Sequence, residues 1–201
     1  MLINSVPPSK HEYRTNILAK ITVFYESELR KAASGNSKMR YFNVNLKGLN
    51  GRPHPVLHNI VSSRDALKAR CHIKFLCGDI YTQERKSRYQ GGSPICRLCD
   101  NHEKEEIVHI LTICTAYKEI RERIMNEIKS VCESKLPKSY FEDIYQNKQL
   151  LTQFILDCTS MNLSKRINAD SEIFLEILSL SRDLCFGITR LKSEKLKLLT
   201  T

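Results

Sequence analysis

Four side chains in the middle of the chain have the types and spacing for metal chemistry. Cys96, Cys99, His109 and Cys114 follow the pattern C-x2-C-x9-H-x4-C. Two thiolates with two residues between them can share one ion, and His109 and Cys114 can close on it from a helix and the turn beyond. Zinc takes four nitrogen or sulfur ligands as a tetrahedron, so three Cys and one His fill its shell. A filled shell leaves no position for a reacting water, which makes the expected ion, one Zn2+, structural and not catalytic. Three thiolates and a divalent ion leave a site charge of about −1, which Arg97, Lys104 and Lys118 are near enough in sequence to offset. His102 is the rival nitrogen ligand, but it lies so close to Cys99 that little chain remains to wrap the ion.

A second set of residues could do binding chemistry. Residues 64–88 hold seven cations, Arg64, Lys68, Arg70, Lys74, Arg85, Lys86 and Arg88, against three acids, leaving +4. Tyr81 and Tyr89 are interleaved with them. Lys and Arg that neutralise phosphates gain from counterion release, and aromatic rings stack on unpaired bases. Lys68, Arg70, Lys74, Tyr81, Arg85, Lys86, Arg88 and Tyr89 are thus the candidate nucleic-acid contacts. The whole chain agrees in sign: 201 residues carry a formal charge of +10 and a pI near 9.2, which suits a polyanionic partner, RNA or DNA.

The other thiols and imidazoles read as ordinary. Eight Cys without an apolar secretory core at MLINSVPPSKHEYR point to a reducing, intracellular setting, cytoplasmic or nuclear, and away from a disulfide framework. Cys71, Cys77, Cys132, Cys158 and Cys185 read as packing groups; His54, His58 and His72 could touch phosphate but read rather as plain surface groups, since a lone His carries little information. No apolar run is long enough for a membrane span.

The elements that must position these groups are helical. The chain holds only 7 Gly and 6 Pro and is rich in Leu, Ile, Lys and Glu, so the expected fold class is mainly α. Ser9 with Glu12 makes a capping box for a first helix, with Tyr13, Ile17, Ile21 and Phe24 as its apolar stripe, ending near AASGNSKM. Residues 42–60 read as irregular. Ser62 with Asp65 opens a second helix that stops at Gly78. Gly91-Gly92-Ser93-Pro94 turns the chain into Cys96. Glu103, Glu105 and Glu106 fall where the first turn of a helix would suit them, followed by a helix from Thr115 to about Cys132. Beyond Pro137 come helices near 139–145, 148–157 and 171–191, with Asn147 and Asp170 as N-caps and a fraying tail. Three units follow: an N-terminal helix and linker at 1–40, a basic helix with the metal knuckle at 41–135, and a helical tail at 136–201.

These residues resemble a known family. The Leu76-Cys77-Gly78-Asp79 turn with Arg85 after it, Cys96-Arg97-Leu98-Cys99, His109-Ile110-Leu111, and Cys114 with Arg121 look like the zinc-binding C-terminal region of non-LTR (LINE-type) retrotransposon reverse transcriptases. GLNGRPHPVL upstream and LLTQFILDCTS and SRDLCFGI downstream extend the likeness over about 40 to 190. The resemblance implies a CCHC zinc knuckle on Cys96, Cys99, His109 and Cys114, in a module that follows the polymerase and grips element RNA or target DNA. It does not carry the polymerase over: no paired-aspartate motif occurs, and FEDIY at 141–145 has the wrong order. The expected function is a non-catalytic nucleic-acid-binding module. The competing expectation is a scaffold whose C-terminal helices dock on the polymerase body or a host factor through an apolar patch.

Overall fold

The computed structural model of the chain describes residues 9–35, 39–42, 54–136, 138–161 and 172–198. The protein is mainly helical, and among the described residues the sole β feature is an isolated antiparallel bridge between Ile95 and Lys104. The helices are α1 (Lys10–Gly35), α2 (Ser63–Leu76), α3 (Gln83–Gln90), α4 (Lys118–Lys135), α5 (Lys138–Gln146), α6 (Lys148–Asp157) and α7 (Glu172–Leu198). Short 3-10 turns cover Pro55–Leu57, Thr115–Tyr117 and Cys158–Ser160, and a π-helical segment covers His109–Ile113. Asp170 lies outside the described residues, as does most of 42–60.

Local chemistry sets the boundaries. Ser62 and Asp65 form the full capping box of α2. Gly78, at φ +64°, ends that helix in a Schellman turn. The amide of Asp79 donates to the Lys74 carbonyl at 2.7 Å, and that of Gly78 to Phe75 at 3.0 Å. A side chain at Gly78 would strain this left-handed backbone. Asn147 caps α6 by accepting from the amides of Gln149 and Leu150.

The long α7 is the spine. Its 27 residues span about 40 Å at 1.5 Å per residue, and it packs against α2, α4 and α6. Ile173, Ile177, Leu184 and Ile188 face inward at helical spacing, meeting Leu76 of α2, Ile128 of α4 and Phe154 of α6 in one hydrophobic cluster. Each such side chain stabilises by about 1.5–3 kcal/mol when fully buried. Gly187 allows the close approach of α4: a Cβ there would lie 2.0 Å from Cδ1 of Ile120. The segment expected as a tail over 136–201 therefore shares its core with the central region, because α7 supplies the apolar surface against which the buried faces of α2 and α4 pack.

Several expectations need correction. α7 continues to Leu198 where fraying was expected, with Lys192 anchored at its inner side. The stripe on α1 is not core: Tyr13, Ile17, Ile21 and Phe24 are all exposed. α3 went unforeseen, although Thr82 caps it by accepting from the Arg85 amide at 3.0 Å. His54 and His72 are buried, not surface groups. The Nδ1 of His54 accepts from the Val56 amide, and its Nε2 donates to the buried Asp157 carboxylate at 3.3 Å. His72 donates through Nε2 to the Leu156 carbonyl at 2.7 Å, and burial pushes its pKa down to about 4. Arg182 of α7 donates to the carbonyl of His58 at 2.8 Å. This polar layer ties the 54–58 segment to α6 and α7. The imidazoles are interior because they satisfy backbone groups without a helical partner: His54 the Val56 amide, and His72 the Leu156 carbonyl in the last turn of α6.

Candidate metal centre

Cys96 sits just after the Gly91-Gly92 turn, where the chain doubles back on residues 103–105. The Cys96 amide donates to the Glu103 carbonyl and the Glu105 amide to the Pro94 carbonyl, both at 2.9 Å. Those two bonds close a tight loop that presents Cys96 and Cys99 to one side. The amide of Leu98 points at Cys96 Sγ at 3.5 Å, a contact that favours a thiolate there.

His109 and Cys114 arrive from the other side. The segment between them is a π-helix, and the Cys114 amide donates five residues back to the His109 carbonyl at 2.7 Å. This wider turn, a form concentrated at functional sites, ends the segment with Cys114 back beside His109. Arg121 of α4 holds that end, donating to the Cys114 carbonyl at 2.9 Å and the Ile113 carbonyl at 3.5 Å.

The four donor atoms lie within 4.8 Å of one another. Cys96 and Cys114 sulfurs are 3.9 Å apart, and Cys99 Sγ is 3.3 Å from His109 Nε2. A tetrahedral ion with zinc's bond lengths would separate two sulfurs by about 3.8 Å and a sulfur from a nitrogen by about 3.6 Å. The donor set therefore fits one metal ion with little rearrangement. Cys96, His109 and Cys114 are buried and Cys99 is half-buried. Burial pushes the Cys96 and Cys114 thiols up, so a bound cation is what would hold them as thiolates.

Sequence reasoning placed the acidic residues here wrongly. Glu103 and Glu105 precede the helical turn that starts at Ile107, in extended chain, and each has a particular partner. Glu103 accepts from His109 Nδ1 at 3.0 Å. Glu105 is 1% exposed. It accepts from the Gln83 amide and pairs with Lys192 of α7, both at 2.7 Å. Pairing around Ile95 and Lys104 takes up the chain before a helix can start. His102 lies exposed at φ +53° and outside the four-donor cluster. The cation set against Cys114 is Arg121, whereas Arg97, Lys104 and Lys118 are exposed. Cys132, Cys158 and Cys185 are buried; Cys71 and Cys77 are half-buried.

The candidate polyanion contacts fall into separate places. Arg85, Arg88 and Tyr89 of α3 line one cleft, together with Arg40, a residue the sequence reading had not singled out. Lys74 and Tyr81 line a second cleft with Lys192 and Leu196 of α7. Lys68 pairs with Asp183 of α7 at 2.5 Å. Arg85 pairs with Asp79 at 2.7 Å, and Arg88 pairs with Glu84. Arg70 is exposed and Lys86 half-exposed. Asp79 and Glu84 are already counted in the local excess of +4, and of these three partners Asp183 is the acid that the fold brings in from outside the stretch.

Comparison with known proteins found no matching family model, curated protein or solved structure. No helix among the described residues is long and apolar enough to cross a membrane.

Proposed function

We propose that the chain is a non-catalytic, zinc-stabilised helical module that binds nucleic acid. The closed Cys96, Cys99, His109, Cys114 donor set carries this reading. Four protein ligands leave zinc no open position, so the ion's work is to fix the loop between α3 and α4. That loop supports α3 through Glu105, whose carboxylate receives the Gln83 amide. Metal binding and the placing of Arg85 and Arg88 are in this way one structural event. The net charge of +10 supports a polyanionic partner. The resemblance to the C-terminal region of non-LTR retrotransposon polymerases supports RNA or target DNA as that partner and an intracellular setting.

The test is zinc stoichiometry on protein purified without chelator, coupled to titration with single-stranded RNA and duplex DNA at two salt concentrations. One zinc per chain and affinity that falls steeply with salt is the expected result. Absence of zinc, or no binding at low salt, overturns the proposal.

A second reading, a docking scaffold, has one observation in its favour, and not the expected one. Among the described residues after position 137, the exposed large hydrophobics are Tyr145, Leu150 and Leu198, too scattered for a patch. The exposed apolar surface lies on α1 instead, at Tyr13, Ile17, Leu18, Ile21 and Phe24. If deletion of α1 abolished partner capture while nucleic-acid affinity was unaffected, the scaffold reading would gain.

A further inference from the structure

The cleft between α3 and the 39–42 segment has the chemistry to hold one particular part of a polyanion. Its volume is about 250 Å3, below the roughly 300–1,000 Å3 usual for a whole small-molecule ligand. Three guanidiniums line it, Arg40, Arg85 and Arg88, with two carboxylates, Glu84 and Glu106. Asp79, paired with Arg85 just outside the lining, brings the local balance to zero. Arg40 is then the guanidinium there available to one phosphodiester charge, and the surrounding carboxylates disfavour a dense anion.

The three arginines differ in how they are held. Arg85 and Arg88 are engaged by Asp79 and Glu84, which orients their forks but takes up part of their charge. Arg40 has no ion pair among the described residues, and its guanidinium lies 4.7 Å from the centroid of the Tyr41 ring. Tyr41 is itself fixed. It is 4% exposed, its hydroxyl donates to Gln149 at 3.2 Å, and its carbonyl accepts from Gln153 at 2.9 Å. An arginine held over an anchored ring is positioned before any ligand arrives, which lowers the ordering cost of binding. Tyr89, at the C-terminal end of α3, is 71% exposed and also lines the cleft. An exposed ring beside a guanidinium is the pairing that takes a base and its phosphate together.

We propose that this cleft is a subsite for one unpaired nucleotide of a single strand, with its phosphate on Arg40 and Arg88 and its base stacked on Tyr89. The assignment rests on the nucleic-acid-binding reading above and narrows it. Single-stranded character follows from the stacking, because a paired base offers no free face. Arginine forks also accept carboxylates. What favours the nucleotide over an acidic peptide is the exposed Tyr89 ring at the mouth.

The experiment uses the full metal-loaded chain, short fluorescein-labelled single-stranded RNA and DNA of one sequence, and the matching duplex. Arg40→Gln is expected to weaken single-strand binding about tenfold and to reduce the salt slope by about 0.7, the value for one lost contact on a single strand. Tyr89→Ala is expected to weaken it about five- to hundredfold, with duplex affinity changed less than twofold. Tyr145→Ala, an exposed ring on α5 that lines neither cleft, serves as control and is expected to leave single-strand affinity within twofold. The RNA and DNA arms tell whether the 2′-hydroxyl matters. Circular dichroism and zinc content check that each variant is folded, and both Arg40 and Tyr89 are exposed enough to be replaced safely. If the wild-type chain binds single strands but Arg40→Gln and Tyr89→Ala bind equally well, the subsite falls and the general function stands. Competition by a poly-glutamate peptide as effective as by RNA also overturns the subsite. No single-strand or duplex binding by the wild type overturns both.

Discussion

Glu103 accepts a hydrogen bond from Nδ1 of His109 at 3.0 Å, and this contact decides which ring nitrogen faces the four-donor cluster that could hold a metal ion. A carboxylate only accepts, so Nδ1 carries the proton and Nε2 turns its lone pair toward Cys99. Such outer partners raise ligand basicity and fix ring orientation. Glu103→Gln is expected to weaken metal affinity about ten- to hundredfold, measured by competition with a chromophoric chelator. Unchanged affinity would remove Glu103 from the metal centre.

The metal should be inseparable from the fold of the 95–117 region. Cys99→Ser is expected to bring zinc content well below one per chain and to lower the thermal midpoint, because ligand binding and folding are coupled here. Cys132→Ala provides the contrast: that thiol is buried outside the cluster, so zinc content should stay at one. Equal zinc content in the two variants would contradict the ligand assignment.

Lys192 and Glu105 form a nearly buried pair across the molecule, at 2.7 Å with side-chain exposures of 13% and 2%. Lys192 also donates to the Tyr81 carbonyl at 2.5 Å. Removing one partner of such a pair leaves an uncompensated charge, so Lys192→Met should cost about 3–5 kcal/mol in urea unfolding. Adding Glu105→Gln should recover part of the loss. Additive losses would mean that the two side chains act independently.

His72 sets an acid limit. In the unfolded chain its pKa is near 6.5, and in the fold burial pushes it down to about 4, with Asp157, His54 and Arg182 nearby. Between those values the unfolded chain takes up the proton and the folded chain does not. Stability is therefore full above about pH 6.5 and falls as the pH drops toward 4, by at most about 3 kcal/mol. Nuclear magnetic resonance of the imidazole should find it neutral at pH 5.5. A protonated His72 in folded protein at that pH would refute the assignment.

The sequence by itself determined the helical class, most helix boundaries and the four-donor set. Those are local facts: capping residues such as Ser62 and Asn147, the glycine after α2, and ligand types at short spacing are readable because neighbours in sequence are their partners. Tertiary structure decided everything that depended on distant partners. Glu103 and Glu105 looked like first-turn acids until His109 and, from α7, Lys192 claimed them. His54 and His72 looked superficial until α6 came to cover them. The cations of residues 64–88 formed one stretch on paper, but the fold paired Lys68 with Asp183, put Lys74 in one cleft and Arg85 and Arg88 in another, and added Arg40 to the second. Helical spacing gave α1 an apolar stripe, yet burial needs a partner surface, and the described residues supply none. Charge and burial are sums over three-dimensional neighbours, and a one-dimensional pattern contains only those neighbours that the chain itself keeps close.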